Sequence, residues 1–102
     1  MCLVIEPDVI LANLFLAGKE RVTPRDLTQI RSKIEAVKGG IFIEISMKSI
    51  YNVVDQRPDM FVWDGDCVRR AANSDLFTDE YVDEYFNYKI PKDLINIVRE
   101  AA

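Results

Sequence analysis

Ser46-Met-Lys-Ser-Ile-Tyr-Asn-Val-Val-Asp-Gln-Arg57 runs directly into Pro58-Asp-Met-Phe-Val-Trp-Asp-Gly-Asp-Cys-Val-Arg-Arg70, and how this stretch folds decides the architecture. Ser46 is a good N-cap. Met47, Ile50, Val53 and Val54 recur at helical spacing, so a helix over 47–56 with that stripe turned inward is expected. Ser49, Asn52 and Gln56 fall on the opposite face with Lys48 beside them. Pro58 disfavours helix at Arg57 and ends the element. Asp64-Gly65 suits a two-residue type I′ turn, whose central residues both need positive φ. Such a turn sets Trp63 against Asp66, Val62 against Cys67 and Phe61 against Val68. Phe61, Trp63 and Val68 then share the core side, and Arg69 lies on the other face.

Upstream, Pro7 suits the first turn of a helix, because its missing N–H would be unpaired there anyway. Residues 9–16 are apolar on nearly all sides, with only Asn13 interrupting, and Gly18 supplies the stop. A helix of that kind must be covered on several faces, by the rest of the domain or by a partner. Arg21-Val22 reads as a very short strand. Thr23 caps a second helix, with Pro24 at its first position and Asp26 in its first turn. Leu27, Ile30, Ile34 and Val37 mark its buried stripe, and Gly39-Gly40 ends it. Ile41-Phe-Ile-Glu-Ile45 favours an extended chain through its β-branched residues. A short apolar run of this sort could also lead straight into the next helix.

Downstream, Ser74 is expected to cap a helix over 75–88 that carries Phe77, Tyr81, Tyr85 and Tyr88 along one side. Pro91 takes the first position of a last helix, where Leu94, Ile95, Ile97 and Val98 supply apolar contacts. Residues 1–102 thus form one domain, with a core at 7–70 and an acidic, aromatic helical extension at 71–102. The fold class is mainly α with a small β-hairpin (α+β).

Taken in order, helix, short strand, helix, helix and β-hairpin resemble the winged helix-turn-helix superfamily, and Ile50 to Arg70 carry the most telling part of the pattern. The resemblance implies a winged-helix-like three-helix core plus wing, followed here by two C-terminal helices. It also implies that helix 47–56 enters the major groove of DNA and that wing 60–70 touches the backbone or minor groove. Two features depart from the pattern. The link from Gly39 to Ser46 is longer and more apolar than the usual tight turn. The recognition helix carries only Lys48 and Arg57 as bases, with Asp55 nearby.

Composition narrows the function classes. The chain has 102 residues, 49% of them hydrophobic, with a formal net charge of −4 and no histidine. The commonest metal ligand and general base is therefore missing. Cys2 and Cys67 match no metal-ligand spacing, and Cys67 has no histidine to activate it as a nucleophile. Asp64 and Asp66 are explained by turn chemistry. No catalytic constellation and no cofactor are expected. The apolar first 18 residues lack a basic leader and are interrupted by Glu6 and Asp8, so a cytoplasmic protein that does not enter a membrane is expected.

Charge is unevenly spread: residues 18–70 hold ten bases and eight acids, and residues 71–102 hold three bases and seven acids. Five of those acids interleave with the aromatic row, which would repel a phosphate backbone, so that row is expected to pack. The leading expectation is a DNA-binding transcriptional regulator that contacts double-stranded DNA through Lys48, Ser49, Asn52, Gln56, Arg57, Arg69 and Arg70. The first helix and the C-terminal helices would bury each other or form a homodimer. The alternative is an adaptor, or a replication or phage accessory factor, that docks a protein partner. The two differ in where the bases lie. Arg25, Lys48, Arg57, Arg69 and Arg70 converging on a surface free of acids favours DNA. Asp55, Asp64 and Asp66 breaking up that surface favours the adaptor.

Overall fold

The chain from Phe61 to Arg70 doubles back on itself as an antiparallel hairpin next to the helix that precedes it. A computed structural model describes residues 3–102, so Cys2 lies outside the described residues. In order the elements are β1 (Leu3–Ile5), α1 (Pro7–Leu16), β2 (Arg21–Val22), α2 (Pro24–Val37), β3 (Ile41–Ile43) and α3 (Met47–Gln56). The hairpin strands β4 (Phe61–Asp64) and β5 (Cys67–Arg70) follow, then α4 (Asp79–Tyr85), a 3-10 turn (Asn87–Lys89) and α5 (Lys92–Glu100). The class is α+β, with strands ordered β2-β5-β4 in one antiparallel sheet and β1-β3 paired in parallel.

Helix α1 is the axis of the domain. Every residue from Pro7 to Phe15 is buried, by α3 on one side and by α4 and α5 on others. The all-round apolar sequence is thus satisfied within one chain, and α1 has no free face to offer a second copy. Asn13 is also buried, and its polarity is fully used: Nδ2 donates to the Val9 carbonyl at 2.8 Å and to Asn87 Oδ1 at 2.7 Å, while Oδ1 accepts from Arg99 Nε at 3.2 Å.

The starts of α2 and α3 follow from their caps. Thr23 Oγ1 accepts from the Asp26 N–H at 3.1 Å and Asp26 Oδ2 accepts from the Thr23 N–H at 2.9 Å, a reciprocal box that satisfies two orphan donors. Ser46 Oγ accepts from the Ser49 N–H at 3.2 Å. Leu27, Ile30 and Ile34 are buried as their spacing requires, as are Ile50, Val53 and Val54. Val37 and Met47, at the ends of those stripes, are not: they are 66% and 43% exposed. The helix ends project past the core, so periodicity overruns the surface it marks.

The hairpin register differs from the type I′ expectation. Asp64 pairs with Cys67, Trp63 with Val68, Val62 with Arg69 and Phe61 with Arg70. The turn residues are therefore Gly65 and Asp66. Gly65 has φ +68° and no non-glycine residue among the described residues has positive φ, the sign pattern of type II′. The slide amounts to two residues, and because side chains alternate with period two, the faces are preserved. Phe61 and Val68 are buried and Trp63 partly so on one face, with Arg69 exposed on the other.

The tail departs further. Residues 75–78 are not helical; Thr78 caps α4, its hydroxyl accepting from the Tyr81 N–H at 3.2 Å. Phe77 reaches the core from this irregular segment and meets Phe15 and Phe61, with ring centroids 5.9 and 6.1 Å away. Tyr85 and Tyr88 are exposed, so the aromatic row is not one packed stripe. A 3-10 turn interrupts the expected continuous helix, and Pro91 stands one place before α5, as its N-cap. Leu94 and Val98 are buried, and Ile95 and Ile97 are packed against the same core.

Candidate functional site

The seven residues with expected DNA contacts come to lie in three environments. Ser49, Asn52 and Gln56 project from α3 into a cleft of about 190 Å³ whose other wall is made by Val4, Glu6, Pro7 and Glu44. Two carboxylates therefore face the polar helix surface. The Ser49 hydroxyl accepts from Ser46 Oγ at 2.9 Å, and Ser46 Oγ also lies 3.2 Å from Glu44 Oε1, so the cap and the glutamate form one hydrogen-bonded group. Lys48 stands exposed beside this cleft, with no hydrogen bond or ion pair among the described residues.

Arg57 is drawn away from solvent. As the C-cap of α3 it donates to both Asp59 oxygens, from Nε at 3.1 Å and Nη2 at 3.0 Å, and Nη2 also donates to the Tyr81 hydroxyl at 2.5 Å. Its guanidinium lies 5.7 Å from the Tyr81 ring centroid and 5.6 Å from that of Phe86. The hydrogen bond from Arg57 holds the Asp59 carboxyl below its ordinary range, against a smaller opposing effect of burial. The same bond raises Arg57 above its usual value, with burial again opposing it. The bidentate clamp on Asp59 fixes the guanidinium, and its contact with Tyr81 ties the end of α3 to α4.

Arg69 and Arg70 sit at the base of the hairpin rather than at its tip. Arg69 Nη1 donates to Asp64 Oδ2 at 2.8 Å. Arg70 places its guanidinium 4.8 Å from the Phe77 ring centroid and donates to the Ser74 carbonyl at 3.3 Å. The tip itself carries Asp64, Gly65 and Asp66. Arg21 stands directly opposite Arg69 in the β2–β5 register, an arrangement of like charges that costs stability. Around the hairpin base, Lys19, Arg69 and Arg70 line a cleft of about 400 Å³ with Phe15 and Glu20.

Arg25 is elsewhere again. It borders a third cleft with Met47, Tyr51, Trp63 and Asp66, where the Tyr51 and Trp63 rings are 4.7 Å apart. Trp63 Nε1 is buried there without a hydrogen-bond partner among the described residues. The five bases Arg25, Lys48, Arg57, Arg69 and Arg70 thus do not form one acid-free surface. Asp59 and Asp64 intervene directly, and Asp66 shares the cleft with Arg25.

The residues missed by sequence reasoning are Val4, Glu6, Phe42 and Glu44, which project from β1, β3 and their continuations. The extended, β-branched run Ile41-Phe-Ile-Glu-Ile45 was the available signal. Among the described residues, no group of three or more acidic or thiol side chains could hold a metal ion, and no helix is long and apolar enough to cross a membrane. Compared with known proteins, the chain matches no family model, no curated protein and no solved structure.

Proposed function

We propose that the chain is a non-catalytic, winged-helix-like module that binds a partner protein and does not read DNA with α3. The β2-β5-β4 strand order around α1, α2 and α3, with a hairpin directly after α3, supports the winged-helix-like plan over residues 7–70. One observation carries the choice of partner. Arg57 and Arg69 are each closed by a carboxylate, and the polar face of α3 shares its cleft with Glu6 and Glu44. Each would meet a phosphate backbone with repulsion or with an existing bond to break. The net charge of −4 points the same way. A reducing, cytoplasmic setting fits Cys67, a buried free thiol.

A labelled random-sequence duplex titrated by anisotropy at about 50 and 200 mM salt tests this, because phosphate contacts make affinity fall steeply over that range. No saturable binding at either salt is expected. Saturable binding at the lower salt that weakens at the higher would overturn the reading.

A second reading has its own support in the Arg21–Arg69 juxtaposition, a repulsion that a bound anion would relieve. On that reading DNA meets the β2–β5 face instead of α3. Any duplex binding would then be lost in Arg69→Ala/Arg70→Ala and retained in Asn52→Ala/Gln56→Ala.

A further inference from the structure

The parallel β1–β3 pair is covered on one face only. Ile5 and Ile43, adjacent in register, point into the core and are buried. Val4 and Phe42, also adjacent, are 54% and 49% exposed on the other face. Parallel strands occur almost only where both faces are covered, and two strands on their own are marginal in water. The exposed face therefore lacks the cover that this kind of pairing normally has.

What could cover it is constrained by charge. Two positions further along each chain, and so on the same side, stand Glu6 and Glu44, which line the cleft against Asn52 and Gln56 on α3. Neither glutamate forms an ion pair among the described residues. Lys89 feels the charge of Glu6 but is committed to Asp8 at 2.7 Å. An apolar strip ending in two carboxylates that have no ion pair among the described residues fits an extended chain that presents an aliphatic side chain and, two residues on, a lysine or arginine. The spacing agrees, because same-side residues of an extended chain are about 6–7 Å apart in both surfaces.

We propose that the Val4/Phe42 face and the adjoining Glu6/Glu44 cleft seat an extended, basic-aliphatic segment of a partner protein. The aliphatic side chain covers Val4 and Phe42, the cation reaches Glu6 and Glu44, and the Asn52 and Gln56 amides hydrogen-bond the segment. This rests on the protein-binding reading above and names its surface and its partner's chemistry. A second copy of this chain fits less well, since a two-fold contact puts the same patch on both sides and the lining of this cleft offers Glu6 and Glu44 no cation.

The test is an anisotropy titration of the full chain with a labelled peptide of Val-Ser-Lys-Ser repeats, with a Val-Ser-Glu-Ser peptide as control. Saturable binding of the lysine peptide alone is expected. It should weaken about tenfold or more, a loss of about 1.4 kcal/mol, in Glu6→Gln/Glu44→Gln and in Val4→Ser/Phe42→Ser. Val4, Glu6 and Phe42 are exposed and Glu44 is half-buried, so both variants should melt close to the parent. Glu80→Gln/Glu84→Gln, the same charge change on α4, should bind as the parent does. Absent binding overturns the proposal, and so does equal weakening by the α4 variant, which would mean attraction by net charge alone. A dimer in sedimentation that Phe42→Ser dissociates would assign the face to a second copy and overturn it too. The duplex titration judges the protein-binding reading without reference to Glu6 or Glu44, so the two failures are distinguishable.

Discussion

Asn13 of α1 and Asn87 of the 3-10 turn are joined side chain to side chain at 2.7 Å, both buried. Asn87 Nδ2 in turn donates to Asp83 at 2.6 Å, and Arg99 donates to Asn13, so one polar chain links α1, α4 and α5 through the apolar core. Truncating one member leaves the others desolvated and unpaired. Asn13→Ala should therefore cost about 1–3 kcal/mol, read from urea unfolding. In a double-mutant cycle, Asn13→Ala and Asn87→Ala together should cost less than the sum of the two. Additive losses would mean the contact carries no coupling.

Phe77 should prove the anchor of the segment 71–78. It completes a cluster of three mutually contacting rings with Phe15 and Phe61 and carries Arg70 against its own ring. Phe77→Ala should lower stability by about 3–5 kcal/mol. Limited proteolysis should then cut first within 71–78, whereas the parent chain should resist there.

The Arg57–Asp59 clamp predicts a pH dependence with a definite sign. The folded-state carboxyl of Asp59 is held below its unfolded value. Its stabilisation is therefore complete above the ordinary value of about 3.9 and disappears as pH falls through the folded value. The Asp59 side chain is half exposed, so solvent screening limits the gain at neutral pH to about 0.5–1 kcal/mol. Asp59→Asn should melt lower than the parent at neutral pH and converge with it in strong acid. A gap that widened in acid would contradict the assignment.

Gly65 should tolerate substitution poorly because its φ of +68° is left-handed. There is open space where a Cβ would stand, so any loss comes from the backbone and not from a clash. Gly65→Ala should cost about 1–3 kcal/mol, measured by thermal unfolding.

Much of the framework was legible where the signal is local. Thr23, Pro24 and Asp26 fixed the start of α2, Ser46 and Pro58 bracketed α3, and Asp64-Gly65 located the turn. The register was not legible, because Asp-Gly can occupy a two-residue turn in more than one frame. Here Gly65 takes the first central position and the pairing slides by two. The faces survived that slide, which is why Phe61 and Val68 still point inward and Arg69 outward. The start of α4 was missed for a different reason. Ser74 and Thr78 are both competent caps, and only the tertiary demand that Phe77 reach Phe15 and Phe61 selects the second.

The candidate surface was least legible. Ser49, Asn52 and Gln56 were correctly placed on one side of α3, but nothing local to that helix announces Glu6 and Glu44 across the cleft. They arrive there through the β1–β3 pairing, between segments far apart in the sequence, and a three-residue strand such as Leu3–Ile5 has too few residues to show a period. Arg57 reads as a free base because Asp59 meets it only once the backbone turns at Pro58, whereas for Arg69 pairing with Asp64 was legible as the alternative to phosphate contact.

The pairing of Leu3–Ile5 with Ile41–Ile43 also has a bearing on synthesis. The earlier strand leaves the ribosome well before its mate and must wait, with its apolar side chains uncovered, while α1, β2 and α2 are translated. Parallel contacts over such a separation form late because loop closure has to precede them. During that interval the nascent chain displays a sticky, β-branched stretch beside an all-apolar helix, the kind of segment that chaperones bind and that aggregates when they are scarce.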